Sequence, residues 1–157
     1  MTTGALRSLA ATLAIVALTG CAPSPPRDGA GEGVAPYVVS GDGIAAPLVG
    51  RVGDAARGRA LVVARAAANC VLCHAIPEPE LGFAGDVGPS LAGVGARLTP
   101  AELRLRVVDM QSLAPRTPMP SYHRIAGVTD VAPAWRGRPL LTAGEVEDIV
   151  AYLSTLR

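Results

Sequence analysis

Cys70-Val71-Leu72-Cys73-His74 is the string whose side chains and spacing point most directly at chemistry. Two thiols three positions apart on one helical turn can add to the two vinyl groups of a haem. The histidine that follows then lies under the iron as its proximal ligand. Other uses of these residues lack partners. A zinc site needs further Cys or His ligands, and His123 is the only other histidine. A dithiol redox motif wants a βαβ context, and the sequence offers none. The expectation is one covalent haem c on Cys70 and Cys73, with His74 on the iron.

The sixth position on the iron has three candidates: Met110, Met119 and His123. Met110 falls on the apolar stripe of a helix, where methionine is ordinarily core filler. Met119 sits between Pro118 and Pro120, in a segment that cannot be helical and that prolines stiffen. A thioether opposite histidine raises the potential and closes the iron to small ligands. His123 would give a bis-histidine site of lower potential. Met119 is the first choice on these grounds, with His123 and Met110 as alternatives. Every basic residue is Arg, so no lysine amine can ligate. A ligating histidine usually donates its second ring N–H to a carbonyl. Pro89, in Gly88-Pro89-Ser90-Leu91, could supply that carbonyl; the spacing suits an ordinary turn equally well.

These residues need elements to hold them. Asp54 is an N-cap candidate, with strong helix formers from Ala55 to Ala68. Gly58 lies inside that helix, where glycine often admits the close approach of another helix. A further helical turn should carry Cys70 to His74, and Pro and Gly make the stretch from Ile76 to Gly95 a loop. Thr99-Pro100-Ala101-Glu102 is a capping box with proline at the first helical position, followed by Leu103, Val107 and Met110 on one face. Thr142-Ala143-Gly144-Glu145 is a second box, followed by Val146, Ile149, Val150, Leu153 and Leu156 at helical spacing. The expected fold is all-α, helices and long loops without a sheet. With five aromatic residues in 157, the core is small aliphatics, short of the bulk a haem would add. The net charge of +1 gives no support to nucleic-acid binding.

The N-terminus reads as a targeting segment. Arg7 precedes an apolar run from Leu9 to Leu18, far short of the ~20 residues of a membrane span. Leu18-Thr19-Gly20-Cys21 resembles a lipoprotein cleavage box. The expected organisation is a signal peptide at 1–20, a lipidated Cys21, and a Pro/Gly-rich tether over 21–36. An extended arm over 37–52 and a haem domain over 53–157 complete it. Export suits haem attachment outside the cytoplasm. The three cysteines are then all assigned, one to lipid and two to haem, which leaves no thiol to hold a sulfur intermediate.

The order of these pieces resembles class I cytochrome c: a first helix with Gly58, CxxCH, a Gly-Pro-x-Leu loop, a proline-flanked Met and a last helix ending Ile149-Val150-Ala151-Tyr152-Leu153. In that family the last helix crosses the first at the position of Gly58, with Tyr152 as the aromatic of the crossing. Longer strings resemble the SoxX family. These are 69–77, 88–97, Thr117-Pro118-Met119-Pro120-Ser121-Tyr122 and the stretch from Arg136 to Val150, with 37–48 similar to that family's N-terminal stretch.

The resemblance implies a periplasmic mono-haem subunit paired with SoxA. That complex, an L-cysteine S-thiosulfotransferase, joins thiosulfate oxidatively to a cysteine of the SoxYZ carrier. The SoxX subunit takes the released electrons to a downstream cytochrome and has no catalytic residue of its own. The resemblance carries His74 and Met119 over as iron ligands and Pro89 as the carbonyl partner of His74. It departs from the family at position 123, often Tyr there and His here, and in the lipoprotein box. The 37–52 arm is expected to be ordered by a partner's surface, because fixing an unsupported backbone costs roughly 1–2 kcal/mol per residue. The alternatives are a free mono-haem carrier, periplasmic or membrane-anchored, serving another redox enzyme, or a haem protein with an open iron site.

Overall fold

The computed structural model describes residues 34–66 and 68–157, together with Met1. The signal peptide, Cys21 and most of the tether lie outside the described residues. Helix α1 spans Ala55–Val63, α2 Val94–Arg97, α3 Pro100–Asp109 and α4 Ala143–Thr155, with single 3₁₀ turns at Cys70–Leu72, Met110–Ser112 and Pro133–Trp135. Among the described residues the one β feature is an isolated bridge between Ser40 and Gly43.

The helices start where their caps stand. Asp54 accepts from the Arg57 amide. Thr99 and Thr142 each close a complete capping box, with Glu102 and Glu145. Each box satisfies two amide donors that would otherwise have no partner. Helix α1 is shorter than its composition suggests. Ala64 is extended, and Asn69, in the left-handed conformation with φ 58°, donates back to the Ala64 carbonyl at 3.4 Å. Alanine propensity gives way there to the turn that presents Cys70. The short α2 falls at the end of the stretch read as loop.

Helices α1 and α4 cross at Gly58. A Cβ on Gly58 would collide with the Asp148 carbonyl, so only glycine lets the backbones meet. Asp148 clamps the crossing. It accepts from Arg57 Nε at 2.7 Å, Arg57 Nη2 at 3.0 Å and the Asp54 amide at 2.7 Å. Tyr152 is buried there and donates its hydroxyl to Glu78 at 2.5 Å. The core beneath is Val62, Val71, Leu103, Leu105, Val108, Leu141, Val146, Ile149 and neighbours, aliphatics joined by the two buried tyrosines Tyr122 and Tyr152.

Two expectations are corrected. The arm does not wait for a partner to order it; it packs on its own domain. Ile44 is 1% exposed, and its amide donates to Ala101 O at 3.0 Å. Gly43 lies so close to Ala101 that a Cβ would stand 3.1 Å away. The Leu48 amide donates to Glu147 Oε1 at 2.9 Å, and Ala35, at the end of the expected tether, donates to His123 at 3.0 Å. One buried isoleucine and paired backbone amides supply what an extended arm would lack. Met110 is also not the buried core residue its helical spacing suggests. It is the half-buried C-cap of α3, where the helix passes into a 3₁₀ turn.

Candidate haem site

The attachment turn is built from both sides. Val71 is fully buried and anchors it, while the His74 amide donates to Cys70 O at 2.9 Å. The following loop is tied on by Gly85 N to Val71 O at 2.9 Å and Gly88 N to Cys73 O at 2.7 Å. Cys70 and Cys73 are both half-buried free thiols. Burial, with a smaller contribution from Cys73, pushes the Cys70 thiol up to about 11, so it stays protonated at neutral pH. Apolar Leu72, Phe83 and Val87 stand exposed on the turn and its loop.

His74 is oriented by Pro89, whose carbonyl lies 2.7 Å from Nδ1. A carbonyl only accepts, so Nδ1 carries the proton and Nε2 the lone pair that can bind a metal. Gly88 makes room for the ring. A Cβ there would stand 2.7 Å from Nδ1 and 2.8 Å from Nε2. Glycine before Pro89 is thus a steric requirement of the imidazole, which the sequence motif alone did not explain.

Met119 is half-buried and packs against the core cluster, as does Cys70. Its amide donates to Thr117 Oγ1 at 3.2 Å. His123 is elsewhere engaged. It is 0% exposed, with Nδ1 2.8 Å from the Leu141 carbonyl and Nε2 accepting the Ala35 amide at 3.0 Å. With both nitrogens paired inside the protein, His123 has no lone pair to offer iron. Of the three distal candidates, this one is taken by the fold.

Sequence reasoning gave Tyr122 no role beyond its place in a family string. It is buried and donates its hydroxyl to Ala68 O at 2.7 Å, two residues before Cys70. Burial, and then the nearby Cys70 and Cys73, raise its phenol well above the ordinary range, so it remains a donor. The segment carrying Met119 is thereby tied to the segment carrying the thiols. Two free thiols on one turn, a histidine with its metal-binding nitrogen bare and a glycine cradle around that ring fit a covalent haem.

A family model for cytochrome c matches residues 55–157. The chain belongs to the cytochrome c family. No curated protein matches it significantly. Among solved structures, a chain of the crystal structure of SoxXA from P. pantotrophus is similar. The likeness has 31% sequence identity and a TM-score of 0.72, over 80% of this chain and 97% of that one. The SoxX resemblance of the sequence is therefore borne out in three dimensions, and the cytochrome is a SoxX-like mono-haem electron-transfer protein of class I fold. Haem c supplies a one-electron couple when bound; the protein's levers on it are axial ligands, hydrogen bonds and burial. Here Pro89 fixes the tautomer of His74, Gly88 its position, and the aliphatic core a low-dielectric surround. Among the described residues no helix is long and apolar enough to cross a membrane.

Proposed function

We propose that this cytochrome is the electron-transfer half of a heterodimer with a SoxA-like cytochrome, in a periplasmic complex that couples thiosulfate oxidatively to a cysteine of a SoxYZ-like carrier. It accepts the released electrons and passes them to a downstream cytochrome. Cys70 and Cys73 hold the haem as thioethers, His74 is the proximal ligand and Met119 the distal one. Cys21 is a lipid-bearing N-terminus that tethers the domain to a membrane.

The observation that carries this reading is the likeness to 97% of a chain of SoxXA. Cysteine use supports it. The thiols of the domain are the haem-attachment pair, so the sulfur chemistry belongs on the partner and the carrier.

The test is reconstitution. Ferric cytochrome, a SoxA-like partner, the carrier and thiosulfate are mixed, and haem reduction is followed optically. Reduction that needs both partner and carrier, with co-elution of the two cytochromes, supports the proposal. A chain that does not bind the partner, and a thiosulfate reaction that runs without it, would leave a free mono-haem carrier.

A further inference from the structure

Met119 has to place one sulfur on one side of an iron, yet its own segment holds it only by packing against the core and by a local amide bond to Thr117 Oγ1. Pro118 and Pro120 restrict the backbone without fastening it. The fastening begins immediately afterwards, in three consecutive residues. Ser121 Oγ donates to Asp109 Oδ1 at 2.6 Å, and Arg124 pairs with the same carboxylate at 2.9 Å. The Tyr122 hydroxyl reaches Ala68 O, beside the attachment turn. His123 joins the Leu141 carbonyl to the Ala35 amide. The backbone repeats the pattern: Tyr122 N and His123 N donate to Val107 O and Val108 O at 3.4 and 3.2 Å, and Leu141 N donates to Tyr122 O at 2.9 Å.

Resting on the reading of Met119 as the sixth ligand, we propose that Tyr122 and His123 are positioning residues for Met119. Tyr122 sets the segment against the haem-attachment turn, and His123 fixes it to Ala35, at the end of the tether. The two side chains are bonded to different segments from adjacent positions, and only Pro120 separates Met119 from the fastened run that begins at Ser121. The end of the tether is then part of the haem site, because Ala35 N–H occupies the nitrogen that His123 would otherwise turn to water or to iron. The partners fix the roles of the ring: Nε2 accepts from the Ala35 N–H and Nδ1 donates to the Leu141 carbonyl.

The experiment uses full-length holo-protein and exogenous imidazole, which binds ferric haem only when the sixth position opens. Tyr122→Phe removes one oxygen, and Ala35→Pro removes one N–H without touching the core. Each should raise imidazole affinity about tenfold, as expected for the loss of one hydrogen bond from the closed form. Each should also weaken the sulfur-to-ferric-iron charge-transfer band. His123→Phe should do both and expose the chain near Ala35 to protease. Val146→Ala, a core truncation distant in sequence from this segment, should lower unfolding stability and leave imidazole affinity unchanged. Parental affinity in Tyr122→Phe and Ala35→Pro overturns the proposal, as does an equal rise in Val146→Ala. Met119→Ala separates the two readings. If it keeps the band, the ligand assignment itself is wrong and this proposal falls with it. If it loses the band while the other variants behave as the parent, only the positioning role falls.

Discussion

Arg104 and Glu147 meet as a bidentate ion pair between α3 and α4, at 2.7 and 2.9 Å, with both side chains almost wholly removed from solvent. The remaining donors and acceptors are used by the arm. Arg104 Nη1 donates to Ile44 O at 2.6 Å, and Glu147 Oε1 also accepts the Leu48 amide. Such a pair contributes little net stability against an apolar pair of the same volume, but stranding one partner is expensive. Its other role here is to bind residues 44–48 to the helices.

Glu147→Gln should therefore destabilise the protein by about 3–5 kcal/mol, because it leaves the Arg104 charge buried and uncompensated. Denaturant unfolding measures the loss, and limited proteolysis near Leu48 should show the arm released. The double variant Arg104→Met with Glu147→Leu should recover most of the stability while leaving the arm more easily cut. Equal protection of the arm in the double variant would mean the ion pair does not hold it.

Gly58→Ala and Gly144→Ala test opposite signs of one substitution. Helix propensity alone favours Ala by about 1 kcal/mol at either site. At Gly144 a Cβ meets nothing within 4 Å, and Ala should stabilise by up to that amount. At Gly58 a Cβ meets the backbone carbonyl of Asp148, which cannot rotate away. The α1–α4 crossing must open, and Ala should destabilise by about 1–3 kcal/mol. Thermal unfolding of both variants decides.

Met119→Ala should abolish the sulfur-to-iron charge-transfer band, lower the reduction potential and let the ferrous protein bind carbon monoxide. Met110→Ala should keep all three properties of the parent. Because Met110 is half-buried, its stability loss should fall below the roughly 2–5 kcal/mol of a fully buried methionine. Ferric and ferrous spectra of the two proteins check this.

Acid should weaken the crossing. Burial alone would raise the Asp148 carboxyl, but Arg57 and the Asp54 amide outweigh it and hold the folded value below the ordinary range. Glu78 is likewise lowered by Arg59 and Tyr152. A carboxyl depressed on folding adds stability above its unfolded pKa, about 4, and loses it as pH falls toward the folded value. Unfolding free energy should therefore decline below about pH 4, with a shallower slope in Asp148→Asn. An unchanged slope would assign the acid limb to other carboxyls.

Cys21→Ala should move the cytochrome from the membrane fraction to the soluble one, or stall its processing. Mass spectrometry of the mature N-terminus is the direct measurement. A mature chain that begins elsewhere, or an unmodified Cys21, removes the anchor.

The sequence by itself determined the covalent chemistry and the starts of the main helices. A thiol pair and an adjacent histidine on one turn, a cap three residues before its glutamate and a proline at the first helical position are all local. Their physics is complete within about one helical turn, so the order of letters suffices. What lay between distant segments only the tertiary structure decided. The charges Arg104 and Glu147 interrupt apolar runs in α3 and α4, and nothing local says that each answers the other across 43 positions. The alanine-rich stretch before Asn69 reads as helix, yet α1 stops at Val63, Ala64 is extended and Asn69 is left-handed. His123 reads as a free ligand until Ala35, 88 positions away, is found on its Nε2. Burial is the common reason. In water each of these polar groups would be satisfied by solvent, and once removed from it each must find a partner wherever the fold supplies one.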